Sequence, residues 1–213
     1  MSTYVFTDYM EKLMQEAETR PYHHGDLRRT IIETAMDMLP EEKGWQFTMR
    51  EVARRAGVSH AAPYKHFPDK AALLTEMALL GFDRLREAML KARPTQSKSL
   101  REEFIAGARA YVRFGTLNPA LYRLMLSGDA VNTDDVHLNQ RALATFGVLL
   151  DLLERGQAEG VVRRRDVRGQ AAGCWAQLHG ITMLTIDGLF RAEKVGPDPL
   201  VGALVTLLEG IET

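Results

Sequence analysis

A single cysteine, Cys174, leaves the chain without the means to form an intrachain disulfide or a zinc or iron–sulfur site built on clustered thiolates. A reducing compartment suits it, and the cytoplasm is the expected one. No apolar run approaches the about 18 residues needed to cross a bilayer, and the first dozen residues carry Asp8 and Glu11 where a secretory leader would carry a basic flank. No membrane partner is expected. Net charge is nearly absent too, with 27 Lys and Arg against 28 Asp and Glu, so there is no global attraction to polyanions. Repeats, low-complexity tracts and sustained period-two alternation of β-branched residues are also missing.

What is present suits a packed protein: 46% hydrophobic and 26% charged residues over 213 positions, enough apolar material for a core without crosslinks. Apolar residues recur every three to four positions, the period of an amphipathic helix. The expected fold is all-α, with about nine helices. The first spans 27–39, with Leu27, Ile31, Ala35 and Met38 on one face, and stops before Pro40. Thr48-Met49-Arg50-Glu51 is a capping-box pattern that starts a short second helix. Ala56-Gly57-Val58-Ser59 ends it, and Ser59 is suited to cap a third helix over 60–66. Pro63 falls in the first turn of that helix, where the loss of one donor is tolerated, so the helix is expected to survive. Phe67-Pro68-Asp69-Lys70 then opens a long fourth helix over 70–90.

Beyond Pro94 the apolar faces widen. A fifth helix carries Phe104, Ala108, Tyr111 and Val112, and a short sixth follows Asn118-Pro119. The seventh carries Leu143, Phe146, Leu150 and Leu153, the eighth covers 167–190, and the ninth covers 198–209. The eighth is apolar almost all round and must be covered on every side. Three regions follow: an extension over 1–21, a small helical unit over 22–75, and a larger one over 76–213, the last two meeting inside the fourth helix.

Three short helices joined by tight turns, the second and third meeting at Gly57, form a helix-turn-helix, although the same corner occurs in ordinary helical bundles. Charge adds a little. Residues 20–74 carry nine basic side chains against seven acidic ones, while 1–19 carry one against four. Three stretches decide between the alternatives: Tyr22-His23-His24-Gly25-Asp26-Leu27-Arg28, the run from Phe47 through Thr48-Met49-Arg50-Glu51-Val52-Ala53-Arg54-Arg55 to Ser59, and Tyr64-Lys65-His66-Phe67-Pro68-Asp69-Lys70-Ala71-Ala72-Leu73-Leu74. Together they resemble the DNA-binding domain of the tetracycline-repressor (TetR/AcrR) family of transcriptional regulators. The C-terminal half looks like the subgroup with a Trp-x-x-x-His-Gly element, here Trp175 to Gly180.

The resemblance implies a homodimeric, ligand-responsive regulator, a repressor that sits on a palindromic double-stranded DNA operator and is released when a small-molecule effector enters the C-terminal domain. It places His60 and Ala61 where base-edge contacts begin, Tyr64 and His66 near phosphate or sugar oxygens, and Lys65 near a phosphate or guanine edge. Ser59 and the N–H groups after it would face a phosphate. Thr48 and Lys70, both at helix starts, would clamp the backbone, and Arg50 would approach from the second helix. Thr48, Ser59 and Asp69 are also ordinary capping residues.

In the C-terminal unit, Phe104, Tyr111, Met125, Phe146, Trp175, His179 and Met183 are the expected walls of an effector cavity, apolar with few polar tips. Trp175 and His179 could equally be core or dimer residues. The dimer interface is expected from the eighth and ninth helices, through Gly173, Gly180, Leu184, Leu200, Leu204 and Leu208. No cofactor and no metal are expected, because the histidines show no helical ligand pair. Cys174 reads as a core thiol and Arg163-Arg164-Arg165 as a solvated turn. In the extension, Met10, Leu13, Met14 and Ala17 could form an amphipathic turn, and Arg20 could reach a minor groove or stay solvated. His179 and Asp187, eight positions apart, are not expected to pair. Two other classes stay open: an all-α enzyme, for which His179 is the one titratable group among the cavity residues, and a non-DNA interaction protein that keeps the headpiece shape.

Overall fold

The computed structural model describes residues 27–41, 44–95, 99–196 and 199–213. The 1–21 extension with Arg20, and the Tyr22 to Asp26 stretch, lie outside them. Helix α1, Leu27–Met38, buries Leu27, Ile31, Ala35 and Met38, the face its spacing sets. A 3-10 turn over Gly44–Gln46 leads to α2, Met49–Arg55. The capping box forms: Glu51 N–H donates to Thr48 Oγ1 at 3.2 Å and Thr48 N–H to Glu51 Oε2 at 2.6 Å. At the other end Gly57 takes φ +69°, while its N–H reaches Arg54 O at 3.3 Å and the Val58 N–H reaches Ala53 O at 3.0 Å. That pair of bonds is a Schellman closure, and it requires the left-handed conformation that glycine adopts without a Cβ clash.

The next segment departs from expectation. Residues 60–66 form no α-helix; they make a turn followed by a 3-10 helix over Pro63–Lys65. Pro63 has no N–H to give the Ser59 carbonyl, and its ring would press on that carbonyl in an α-helix. Ser59 O accepts instead from Ala62 N–H at 2.9 Å, an i−3 bond, and Lys65 N–H bonds Ala62 O at 3.2 Å. The helix did not survive the proline.

Asp69 caps α3, Lys70–Lys91, accepting from Ala72 N–H at 2.8 Å. Helix α4, Leu100–Leu117, is capped by Ser99, α5, Pro119–Met125, starts on a proline, and α6, Val136–Ala158, is capped by Asp135. Asp166 caps α7, Val167–Ile186. It stops four residues earlier than expected, because Gly188 at φ +66° closes a second Schellman motif, with Leu189 N–H on Leu184 O at 2.8 Å. A single turn, α8, Ala192–Val195, precedes α9, Pro199–Ile211.

α3 is the shared element. Its first turns pack on α1, and further along it packs against α4, α5 and α6. α7 lies on α4 and α6, and α9 closes the bundle against α4 and α7. The chain end is tied back by Arg163 N–H on Ile211 O at 2.9 Å and by the Arg101–Glu212 ion pair at 2.6 Å. Arg163, Arg164 and Arg165 are exposed, as expected of a turn. Cys174 is fully buried, and burial pushes its thiol up to about 11. No helix of the described residues is long and apolar enough to cross a membrane.

Candidate nucleic-acid interface and effector cavity

The corner between α2 and the 3-10 segment presents one exposed surface. Thr48, Arg50, Ser59, His60, Ala61, Tyr64 and Lys65 are exposed there, Tyr64 at 52%, while Val52, Ala53, Ala62, Pro63 and Phe67 anchor the segment from beneath. His66 and Lys70 are half-buried. The Lys70 ammonium sits 5.5 Å from the Phe47 ring centre, and partial burial lowers its pKa. Arg28 reaches across from α1 to Glu76 at 2.5 Å and lies 5.3 Å over the Phe67 ring, fixing α1 against α3. Arg55 forks onto Glu41, with one arm at 2.7 Å, so that cation is engaged within the headpiece. One expected feature is missing: a three-residue 3-10 turn has no helix N-terminus to aim at a phosphate, and Ala62, which precedes it, carries no capping group.

Below the headpiece a cavity of about 690 Å³ opens between α3, α4, α5, α6 and α7. Five of the seven expected wall residues line it: Phe104, Tyr111, Met125, Phe146 and Trp175. Met183 and His179 do not. Met183 is partly buried against the core, and His179 meets Tyr122 of α5 rather than the cavity. His179 nevertheless touches the wall through Tyr122, whose hydroxyl is 2.7 Å from His179 Nδ1. Tyr122 is fully buried; the Tyr111 hydroxyl meets it at 2.8 Å, and Trp175 Nε1 donates to Tyr111 at 3.2 Å. Burial raises the pKa of both phenols and lowers that of His179. Asp187 instead holds Arg123 of α5, so the two residues do not pair. Sequence reasoning missed Tyr122 and the α3 wall of Phe82, Leu85 and Met89. The α3 spacing signalled a buried face, but nothing in it distinguished core from cavity.

The expected interface residues divide. Gly173 is exposed and Gly180 partly so; a Cβ at either meets nothing within 4 Å in its own chain, and Leu184 is 42% exposed. Leu200 is half-buried against the core. Leu204 and Leu208 are buried in the chain's own core, at 0% and 2%, which removes them from any interface. The i, i+4 stripe of α9 faces inward, held there by Gln177 Nε2 on Ala203 O at 2.8 Å, and α9 turns Gly202, Thr206 and Glu209 outward.

Comparison with known proteins agrees with this architecture. The family described as bacterial regulatory proteins, tetR family, matches residues 31–77, and the tetracyclin repressor-like C-terminal domain matches residues 104–208. A nucleoid occlusion factor SlmA from Alteromonas mediterranea is 30% identical over 142 residues, 66% of this chain and 69% of the relative. A Rhodococcus sp. RHA1 protein of unknown function superposes with TM-score 0.81 at 31% identity, covering 92% of this chain and all of its own. A TetR family transcription regulator from Marinobacter aquaeolei VT8 has the same fold at 18% identity, with TM-score 0.68 over 88% of this chain and 96% of its own. With the headpiece, the shared α3 and both family domains in place, the chain belongs to the tetR family of DNA-binding transcriptional regulators.

Proposed function

We propose that the protein is a homodimeric repressor, working in the cytoplasm, that binds a palindromic operator and is released by a small molecule in the α3–α7 cavity. The observation that carries this reading is the run of α3, whose first turns pack on α1 of the headpiece and whose later turns wall the cavity. In this reading the units 22–75 and 76–213 share that helix. His60 and Ala61 then approach base edges, Ser59 faces a phosphate, Tyr64 and His66 approach phosphate or sugar oxygens, Lys65 reaches a phosphate or a guanine edge, and Arg50 approaches a base or a phosphate from α2. Thr48 and Lys70 flank the groove. An effector lowers DNA affinity by binding better to a conformer whose two headpieces no longer match successive major grooves, about 34 Å apart.

Selection of bound sequences from random duplexes tests this directly; a two-fold symmetric site is expected. Lys65→Ala should weaken binding to every duplex and reduce the salt slope by about one per lost phosphate contact. His60→Ala should change preference among operator variants instead. Absence of any selected sequence would sink the reading. The SlmA relatives favour a second one, in which the DNA-bound protein serves nucleoid occlusion. Mapping bound sites along the chromosome separates the two: promoter sites fit the repressor, dispersed sites the alternative.

A further inference from the structure

Four side chains from three helices form one hydrogen-bonded chain at the cavity wall: Trp175 Nε1 to Tyr111 at 3.2 Å, Tyr111 to Tyr122 at 2.8 Å, and Tyr122 to His179 Nδ1 at 2.7 Å. An indole N–H can only donate, so the Trp175 end is fixed. The rest has two self-consistent arrangements. In one, Tyr111 donates to Tyr122, which donates to unprotonated Nδ1 of His179. In the other, His179 carries its proton on Nδ1 and donates to Tyr122, Tyr122 donates to Tyr111, and the Tyr111 proton is free for a guest. The first arrangement leaves Tyr111 a lone pair for a guest's hydroxyl, and the second leaves it a proton for a guest's carbonyl. Neither needs a buried charge.

The surroundings favour a neutral guest. Phe82, Leu85 and Met89 line about 10 Å of α3, and Phe146 and Leu149 face the same space from α6. A carboxylate or ammonium among them would lose its hydration without a buried counter-charge at the hydroxyl chain. The charged lining groups are Arg93 and Glu103. Glu103 is already bonded to Arg155 at 2.6 Å, and Arg93 adds to the field that lowers its pKa.

We propose that the cavity takes a neutral, largely apolar molecule with one carbonyl or hydroxyl oxygen, docked on Tyr111 through the reversible Trp175–Tyr111–Tyr122–His179 chain. This rests on the cavity being the effector site. The test uses the full chain and matched probes on two scaffolds, a straight alkyl chain and a fused bicyclic aromatic, each as hydrocarbon, ketone, alcohol, carboxylate and amine. Calorimetry at neutral pH should show ketone or alcohol binding at least about tenfold tighter than carboxylate or ammonium. Tyr111→Phe should cut the preference for ketone over hydrocarbon by about five- to tenfold.

Tightest binding of the carboxylate would overturn the proposal in favour of Arg93 as the anchor. So would equal affinity for ketone and hydrocarbon in the unmodified protein, or no binding of any probe; these readouts need no variant and stand if Tyr111→Phe misfolds. A parallel gel-shift with the selected duplex separates the two readings. Intact DNA binding with the wrong probe preference defeats only the ligand class, whereas the right preference with no effect on DNA release defeats the effector reading.

Discussion

His179 shows how one side chain takes its character from neighbours distant in sequence. The imidazole is held by Tyr122, stacked on it with ring centres 5.7 Å apart, and lies 6.1 Å from the Trp175 ring. Burial lowers its pKa below the ordinary 6.5. In the unfolded chain the imidazole therefore takes up its proton first as pH falls. Between 6.5 and the lower folded value, the unfolded state binds more protons, so the stability from neutral His179 is complete above that window and declines through it. Thermal unfolding should show a midpoint that drops from about pH 7.5 to about pH 5.5, and His179→Asn should flatten that drop. Parallel slopes for the two proteins would contradict the assignment. Glu41, Glu87 and Glu103, whose pKa values are lowered by Arg55, Lys91 and Arg155, act only around pH 4.5 and below, outside that range.

At the scale of elements, the chain advertises its helix ends more clearly than their contents. Thr48 with Glu51, Asp69, Pro119, Asp135 and Asp166 all sit where their chemistry places a start, since a cap needs only residues three or four positions away. Thr48→Ala should lower stability by about 1 kcal/mol, and Gly57→Ala by about 1–2 kcal/mol because its φ of +69° penalises a Cβ; urea unfolding measures both. Effects that need distant partners were illegible. Tyr122 and His179 meet across 57 positions, so no local pattern could pair them. Periodicity likewise gave α9 an apolar stripe at Leu200, Leu204 and Leu208 but could not say which chain covers it. Pro63 misleads locally: a proline in the first turn of an α-helix is tolerated, but here its ring would meet the Ser59 carbonyl, and the segment closes as a turn and a 3-10 helix instead of the expected helix over 60–66. Pro63→Ala restores the missing N–H, so backbone chemical shifts of 60–66 should move toward α-helical values. Unmoved shifts would mean that the buried anchors Ala62 and Phe67, rather than the proline, impose the 3-10 geometry.

For the whole molecule, the proposed homodimer turns on which surface would join two copies so that two headpieces could share a duplex. A two-fold interface places one patch against itself. On α7, Gly173, Ala176, Gly180 and Leu184 form a stripe of small and apolar residues that is exposed or half-exposed in the single chain, on a helix with no polar face. Such a stripe allows close helix approach and gains apolar burial only when a partner covers it. Gly180→Leu adds its side chain into space that is empty in one chain, so the fold should remain intact by circular dichroism. Sedimentation should then show a monomer, and affinity for a two-half-site duplex should fall by about 10²–10⁴-fold as the second headpiece loses its tether. Gly115→Ala is the contrasting control. Its Cβ would run into Thr182 and lie 3.1 Å from the Tyr122 ring within the same chain. It should therefore lower unfolding stability by about 1–3 kcal/mol without selectively dissociating the dimer. A Gly180→Leu protein that still sediments as a dimer would move the interface off α7, whatever its effect on stability.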